Sequence, residues 1–350
     1  MRIEDLRQHL RALGAKPCHE DKIFRAWAQV RAFDSGPHPA EHFLPLKLRQ
    51  ALDEWLLPSI EGLARVKSTH PAEDGASRLL VELADAQTVE SVLLPRGGVC
   101  VSTQLGCAVG CQFCMTGKEG LIRQLGSAEI VAQVVLARRL RKVNKVVFMG
   151  MGEPSHNLDN VIEAIEFLAT EGEIGHKNLV FSTVGDRRAF ERLPQARIKP
   201  ALALSLHTTR DDLRRQLLPR APHITPEELV ELGEAYARAT DYPIQYQWTL
   251  IDGVNDSDAE MEAIVRLLKG KYAIMNLIPY NQVEGLPYRR PDPARTAEQV
   301  RFLHRAGILT KTRQSAGQDI DGGCGQLRAR QITLVRKPRA AFKTGPAAEA

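Results

Sequence analysis

The 350-residue chain predicts an α/β protein: a parallel sheet with helices outside it, preceded by a short β meander and a small helical segment. Three observations carry this. Beyond residue 114, short apolar runs alternate with amphipathic helical stretches, which is how repeated strand–helix units read in sequence. Between about 60 and 96 the hydrophobic period falls to two, and before residue 58 it is helical. Counting the run 99–104 there are about six units, which suits a partial (β/α)6 barrel and equally an open doubly wound sheet.

The first 58 residues place Leu6, Leu10 and Leu13 on one helical stripe ended by Gly14 and Pro17. A second helix is expected over about 20–31, with Ile23, Phe24 and Trp27 on one side, and a third over roughly 45–57. This segment, 1–58, is expected to be an accessory domain. The extension 59–96 carries three expected strands, one of which contains Glu90 in Val89-Glu90-Ser91-Val92. Alternation alone turns Glu90 to solvent. The core is expected over 97–337, with strands at 145–150, 179–184, 201–207, 244–251 and 273–279. Helices are expected near 128–142, 158–170, 226–239, 257–269 and 297–306. Three of them open on capping-box patterns beginning at Thr225, Ser257 and Thr296. The Ala/Pro/Lys-rich tail, 338–350, reads as disordered.

Composition is that of an ordinary globular protein, with 43% hydrophobic and 25% charged residues. No apolar run approaches the length of a membrane span, and the N-terminus is helix-patterned without an apolar signal core, so no membrane association and a cytoplasmic location are expected. The net charge of +5 is mild. Basic residues gather in three groups: Lys118, Arg123, Arg138, Arg139, Arg141, Lys142 and Lys145; Arg187, Arg188, Arg192, Arg197 and Lys199; and Arg210, Arg214, Arg215 and Arg220. Such groups serve polyanion binding or are solvated helix faces.

Three of the six cysteines lie within eight residues as Cys107-x3-Cys111-x2-Cys114. Thiolates so close need a soft cation; three of them suit a [4Fe–4S] cluster with one iron left open. A zinc knot with Cys100 as fourth ligand is the alternative. Met149-Gly-Met-Gly152-Glu153-Pro154, Ser182-Thr-Val-Gly185, Ser205-Leu-His207 and Asn281 each follow an expected strand, where α/β sheets place their ligands. Near the C-terminus, Cys324 stands between glycines in Asp319-Ile-Asp-Gly-Gly-Cys324-Gly-Gln-Leu327, exposed-looking and unlike a core cysteine.

The cysteine triplet resembles the cluster loop of radical S-adenosylmethionine (SAM) enzymes. The longer run from Cys100 to Gly117 resembles the RlmN and Cfr RNA adenine methyltransferases, closest to the RlmN type. That resemblance implies the partial (β/α)6 barrel, a [4Fe–4S] cluster on Cys107, Cys111 and Cys114, and two SAM molecules per turnover. It implies SAM contacts at Gly152, Glu153, Ser182, Ser205, His207 and Asn281. The substrate implied is ribosomal RNA, and transfer RNA in the RlmN branch, methylated at adenine C2 (C8 in the Cfr branch). An electron donor such as flavodoxin or ferredoxin is implied as well.

The implied mechanism uses Cys324 as an S-methylcysteine. A radical formed from the second SAM at the cluster takes a hydrogen from that methyl, and the resulting methylene adds to the adenine. Glu90 then accepts the ring proton, and Cys100 attacks Cys324 to free the product with a disulfide. The N-terminal helices are implied to help hold RNA. The chain departs from the family pattern at Asp186, Met115 and Ser155, positions that bear on the substrate, and has Gly322-Gly323 where Ala-Ala is usual. Two further readings are a radical SAM enzyme acting on a small molecule or peptide, and a cluster- or zinc-stabilised RNA-binding protein without catalysis.

Overall fold

The fold is that of a computed structural model describing residues 1–33 and 43–328; the expected tail lies outside them. Helix α1 (Ile3–Ala12) buries Ile3, Leu6 and Leu10. Its first turn is tied to the rest of the chain, because the Ile3 N–H donates to Ser127 Oγ (2.8 Å) and the Glu4 N–H to Glu163 (2.9 Å). Helix α2 (Pro17–Gln29) starts three residues before the expected point, since Pro17 occupies its first turn, where a missing N–H costs nothing. The expected third helix is α3 (Leu46–Ala51), a π-helical turn Leu52–Leu56, and α4 (Leu57–Glu61). The Leu57 N–H reaches back five residues to the Leu52 carbonyl just before Pro58, which has no N–H to offer.

Strands β1 (Ala64–Pro71), β2 (Ser77–Leu83), β3 (Thr88–Leu94) and β4 (Gly98–Cys100) form an antiparallel meander. The expected strand 99–104 divides. β4 stays in the main sheet, while β5 (Gln104–Gly106) pairs with β6 (Leu121–Gln124) in a separate two-stranded sheet that brackets the cysteine loop. Then follow α5 (Ser127–Leu140), β7 (Lys145–Phe148), α6 (Leu158–Thr170) and β8 (Leu179–Thr183). Short helix α7 (Arg187–Arg192) leads to β9 (Ala201–Ser205), and short helix α8 (Asp211–Leu217) to α9 (Pro226–Thr240) and β10 (Ile244–Leu250). Helix α10 (Asp258–Leu268), β11 (Ala273–Pro279), α11 (Pro293–Arg305) and β12 (Thr310–Thr312) complete the described chain. The side chains of Thr225 and Ser257 cap α9 and α10 as expected. Thr296 caps nothing: Asp292 accepts from the Ala294 and Arg295 N–H groups, and Pro293 follows it into the first turn.

The main sheet runs β1-β2-β3-β4-β7-β8-β9-β10-β11-β12, parallel from β4 onward. Side chains alternate across it. Val146, Phe148, Tyr246, Trp248, Met275 and Leu277 face the helices and share one continuous core with the N-terminal helices. Val147, Val180, Ala201 and Ala203 make a small cluster on the other, concave face. The sheet curls so that its ends approach. Arg313, just past β12, lies 3.8 Å from Met149 Sδ, just past β7. The loop after β12 also bonds to the β1–β2 turn, with Gly317 N–H to Asp74 at 2.9 Å and Glu73 N–H to Asp319 at 3.2 Å. β12 and β1 are not paired, so the barrel is partial.

Candidate active site

The cysteine loop projects from the β5–β6 ribbon. Gly106 has φ +75°, and a Cβ there would stand 2.0 Å from the Gly120 carbonyl oxygen; a Cβ on Gly110 would stand 2.2 Å from an Arg220 guanidinium nitrogen. The loop therefore closes at a distance only glycine permits. Cys107, Cys111 and Cys114 are free thiols set in an apolar nest that includes Val109, Phe113, Leu217 and Tyr280, separate from the main core.

Burial pushes the Cys107 thiol up to about 12 and Cys111 well above the ordinary range, where the neighbouring sulfurs and Glu153 raise it further. Against that, amides favour the thiolate: Val109 and Gly110 N–H on Cys107, Thr116 and Gly117 N–H on Cys114. Three buried thiols with N–H groups aimed at them fit the donor set of an iron–sulfur cluster. Among the described residues no three Cys, His, Asp or Glu side chains stand close enough to share one metal ion. A cube spreads its thiolates over separate irons, so sulfurs that do not converge on one point suit it better than a single zinc ion.

The expected SAM contacts ring the carboxyl ends of the strands beside this loop. Gly152 has φ +101°, and a Cβ would meet the Gln104 side chain at 2.5 Å. Glu153 is buried; its N–H donates to Gln104 Oε1 (2.7 Å), and its carboxylate accepts from the Val184 N–H (3.0 Å), the Ser155 N–H (3.1 Å) and Ser155 Oγ (2.8 Å). Ser155 thereby serves Glu153. Ser182 is buried on β8, and its hydroxyl makes no hydrogen bond among the described residues, so it is open to a ligand. Ser205 ends β9, its carbonyl held by Arg214 at 2.8 Å.

His207 has φ +61° and Nδ1 accepting from the Thr249 N–H at 2.9 Å, which leaves the proton on Nε2. Its ring meets Phe113 edge-on at 4.8 Å between centroids. Burial and then the Arg214 charge lower it to about 3, so it is neutral at physiological pH. Asn281 donates from Nδ2 to Ser315 Oγ and to the Cys324 carbonyl, both at 2.9 Å, and its buried Oδ1 has no partner. An open serine hydroxyl, a neutral imidazole N–H and an orphaned buried amide oxygen are what an amino-acid and ribose-bearing ligand needs, so the residues fit SAM.

Cys324 sits on the cysteine loop, where the Met115 N–H donates to the Gly325 carbonyl (2.8 Å) and Thr116 Oγ1 to that of Leu327 (2.8 Å). The Cys324 sulfur lies within electrostatic reach of both Cys100 and Cys114. Burial, then Cys324, pushes the Cys100 thiol up to about 12, against the pull of Arg313. Glu90 is not solvent-facing as alternation suggested: it is 1% exposed, ion-paired to Arg78 and accepting from the Arg328 N–H at 2.9 Å. The meander's far side is covered by the C-terminal loop, which period two alone does not show.

Two departures have local causes. Asp186 caps α7 through the Arg188 N–H (2.9 Å); burial opposes its ionisation, but bonds from Arg188 hold it below the carboxylate range. Met115 packs in the cysteine nest. Sequence reasoning missed Arg214, grouped there with surface arginines. It is buried, donates to the carbonyls of Val184, Ser205 and Leu206, and is lowered to about 10 chiefly by burial while Cys111 and Glu153 favour its charge. Other basic residues are similarly occupied. Arg138 binds the carbonyls of Ala28 and Gly172, Arg141 that of Leu94, and Arg123, Arg187, Arg192, Arg210 and Arg215 pair with carboxylates.

Residues 101–268 match the profile of the radical SAM superfamily, whose members bind a [4Fe–4S] cluster and SAM. The chain is 70% identical to a probable RNA methyltransferase of Azoarcus sp. over 99% of its own length and 100% of that protein's. It is 66% identical to a probable RNA methyltransferase of Thiobacillus denitrificans, over 99% and 97% respectively. The crystal structure of a radical SAM methyltransferase from Sphaerobacter thermophilus superposes with a TM-score of 0.81 at 36% identity, covering 94% of this chain and 98% of that one. With its cysteine loop, strand-end ligand residues and partial barrel, the chain belongs to the radical SAM methyltransferase family.

Proposed function

We propose that this protein is an RNA methyltransferase that methylates C2 of an adenine in ribosomal RNA, and also in transfer RNA, by way of its own Cys324. The observation that carries this reading is the placing of two cysteines outside the triplet, Cys100 and Cys324, within electrostatic reach of each other beside the cysteine loop. The relatives' names supply RNA as the substrate class.

Adenine C2 is electron-poor and does not attack a methyl sulfonium, so the family's cluster and SAM supply, when bound, a 5′-deoxyadenosyl radical able to activate a methyl group held on sulfur. In this reading Cys107, Cys111 and Cys114 hold the cluster, while Gly152, Glu153, Ser182, Ser205, His207 and Asn281 hold SAM. Cys324 carries the methyl carbon, and Asn281 Nδ2 fixes its carbonyl. Glu90 takes the C2 proton; Arg78 and the Arg328 N–H each hold one of its oxygens, and each oxygen retains a lone pair for the transfer. The Cys100 thiol, high-pKa and half-buried, gives up its proton only as its sulfur attacks Cys324; the Cys324 S–C bond breaks with its electron pair on carbon, which takes up a proton to become the product methyl group, and a disulfide is left. The base must be flipped or single-stranded to reach this depth.

The test is mass spectrometry of nucleosides after anaerobic incubation with SAM, a reductant such as reduced flavodoxin, and unmodified RNA. 2-Methyladenosine is expected from the wild type and none from Cys324→Ala, which keeps its iron and sulfide. Formation of 8-methyladenosine would overturn the C2 assignment, and undiminished methylation by Cys324→Ala would overturn the role of Cys324.

A further inference from the structure

Most arginines on the outer surface of the barrel are spent on carboxylates or carbonyls, but a second basic group is not. It lies on the concave face of the sheet. Lys145 shares a face with Val147 and Met149 of the inner cluster, because side chains two apart on a strand point the same way. Arg313 reaches Gln247 Oε1 (2.9 Å) and Met149 Sδ (3.8 Å) across that face, so Lys311, two residues earlier, points there also. Among the described residues none of the three forms an ion pair, and Lys145 and Lys311 are exposed. Burial and the charges of Arg313 and Lys311 lower Lys145, a sign that the three repel one another.

The same face carries a polar row. The strand register aligns Ser205 with Gln247, Gln247 with Asn276, and Asn276 with Lys311. Asn276 lies between Met275 and Leu277 of the outer core, so its amide faces inward. The residue is 7% exposed, and its side-chain amide makes no hydrogen bond among the described residues. A polar amide left open at that depth, on a row that leads from the Ser205 end to three unneutralised cations, marks a place for an anion with acceptor oxygens. Arg313 also lies within electrostatic reach of Cys100, which ties this strip to the reacting cysteines.

We propose that Lys145, Lys311 and Arg313, with the Asn276 amide, form a phosphate site on the concave face that seats the backbone of the substrate RNA strand beside the flipped adenine. This rests on the RNA reading above. Its chemistry is a phosphodiester: lysines as point charges, the Arg313 fork as a bidentate donor, Asn276 as a neutral donor. SAM's own carboxylate is the other anion the strip could take, and the test separates the two.

The experiment compares wild type, Lys145→Gln, Lys311→Gln, the double variant and Asn276→Ala, each reconstituted with its cluster. Binding of a fluorescent, unmodified large-subunit ribosomal RNA transcript is followed from 50 to 300 mM salt (about these limits), with SAM titrated separately. Each lysine removed should weaken RNA binding and reduce the slope of log K against log salt by about one, and the double variant by about two. Asn276→Ala should weaken binding with the slope kept. SAM titrations should not follow the same order. An unchanged slope in the double variant, while wild type binds RNA, overturns the site and leaves the RNA reading standing. Weakened SAM binding with RNA slopes unchanged overturns it in favour of the carboxylate. Absence of RNA binding by the wild type overturns both.

Discussion

Replacing Arg214 by Met should remove three hydrogen bonds at once, since its guanidinium holds the carbonyls of Val184, Ser205 and Leu206 at the ends of β8 and β9. Buried carbonyls left unpaired cost about 1–3 kcal/mol each, so a loss of at least ~2 kcal/mol is expected in urea titration of the reconstituted protein. A change below ~0.5 kcal/mol would show that water or a rearranged loop replaces it. His207 offers a second residue-scale test. Lowered to about 3, it should stay neutral and Nε2-protonated in ¹⁵N-histidine spectra from pH 8 down to 5, where an exposed histidine is already cationic. A transition near 6.5 contradicts its burial. The cysteine triplet stood out from spacing alone because three thiols in eight residues admit few chemistries, an iron–sulfur cluster or zinc. Arg214 did not, because a basic residue on a short helix looks the same whether it faces water or strand ends. Asp186 read as a departure because the family pattern has an apolar residue and then Pro there; its role as a helix cap shows only in the structure.

At the scale of elements, the loop that carries Cys324 is set by close packing rather than by looseness. A Cβ on Gly323 would stand 2.9 Å from Asn281 Nδ2 and 2.6 Å from Gln326 Oε1. The Asn281 and Gln326 side-chain ends must give way to that methyl, which disturbs the bond from Asn281 to the Cys324 carbonyl. Gly323→Ala should therefore lower methylation on the order of tenfold to a hundredfold, the usual cost of a misplaced reacting group, while iron content and SAM binding persist. Full activity would mean that the loop has slack. Thr225 and Ser257 were readable as caps because no better one precedes them. Thr296 failed because Asp292-Pro293, four residues earlier, is the stronger start. The β5–β6 ribbon escaped notice because Leu121-Ile-Arg-Gln is short, and its two apolar residues are exposed.

Across the whole molecule, the curl of the sheet is what makes one site of residues as far apart as Glu90 and Arg328. The loop after β12 returns to the β1–β2 turn and bonds to Asp74, which brings the last cysteine to the first cluster of strands. Order of strands and helices was legible from alternating periodicities. Curvature was not, since it shows only in contacts between strands distant in the sheet, such as that of Arg313 with Met149. The N-terminal helices likewise read as a separate accessory, yet α1 is stitched to Ser127 and Glu163 and shares the main core. The account stands or falls on Cys100 and Cys324 acting on one substrate. The direct measurement is denaturing electrophoresis and tandem mass spectrometry of Cys100→Ala after anaerobic reaction with SAM, reductant and unmodified RNA. The account predicts a covalent protein–RNA adduct through the Cys324 sulfur and the added carbon. Multiple turnovers to free methylated RNA, with no adduct, would contradict it.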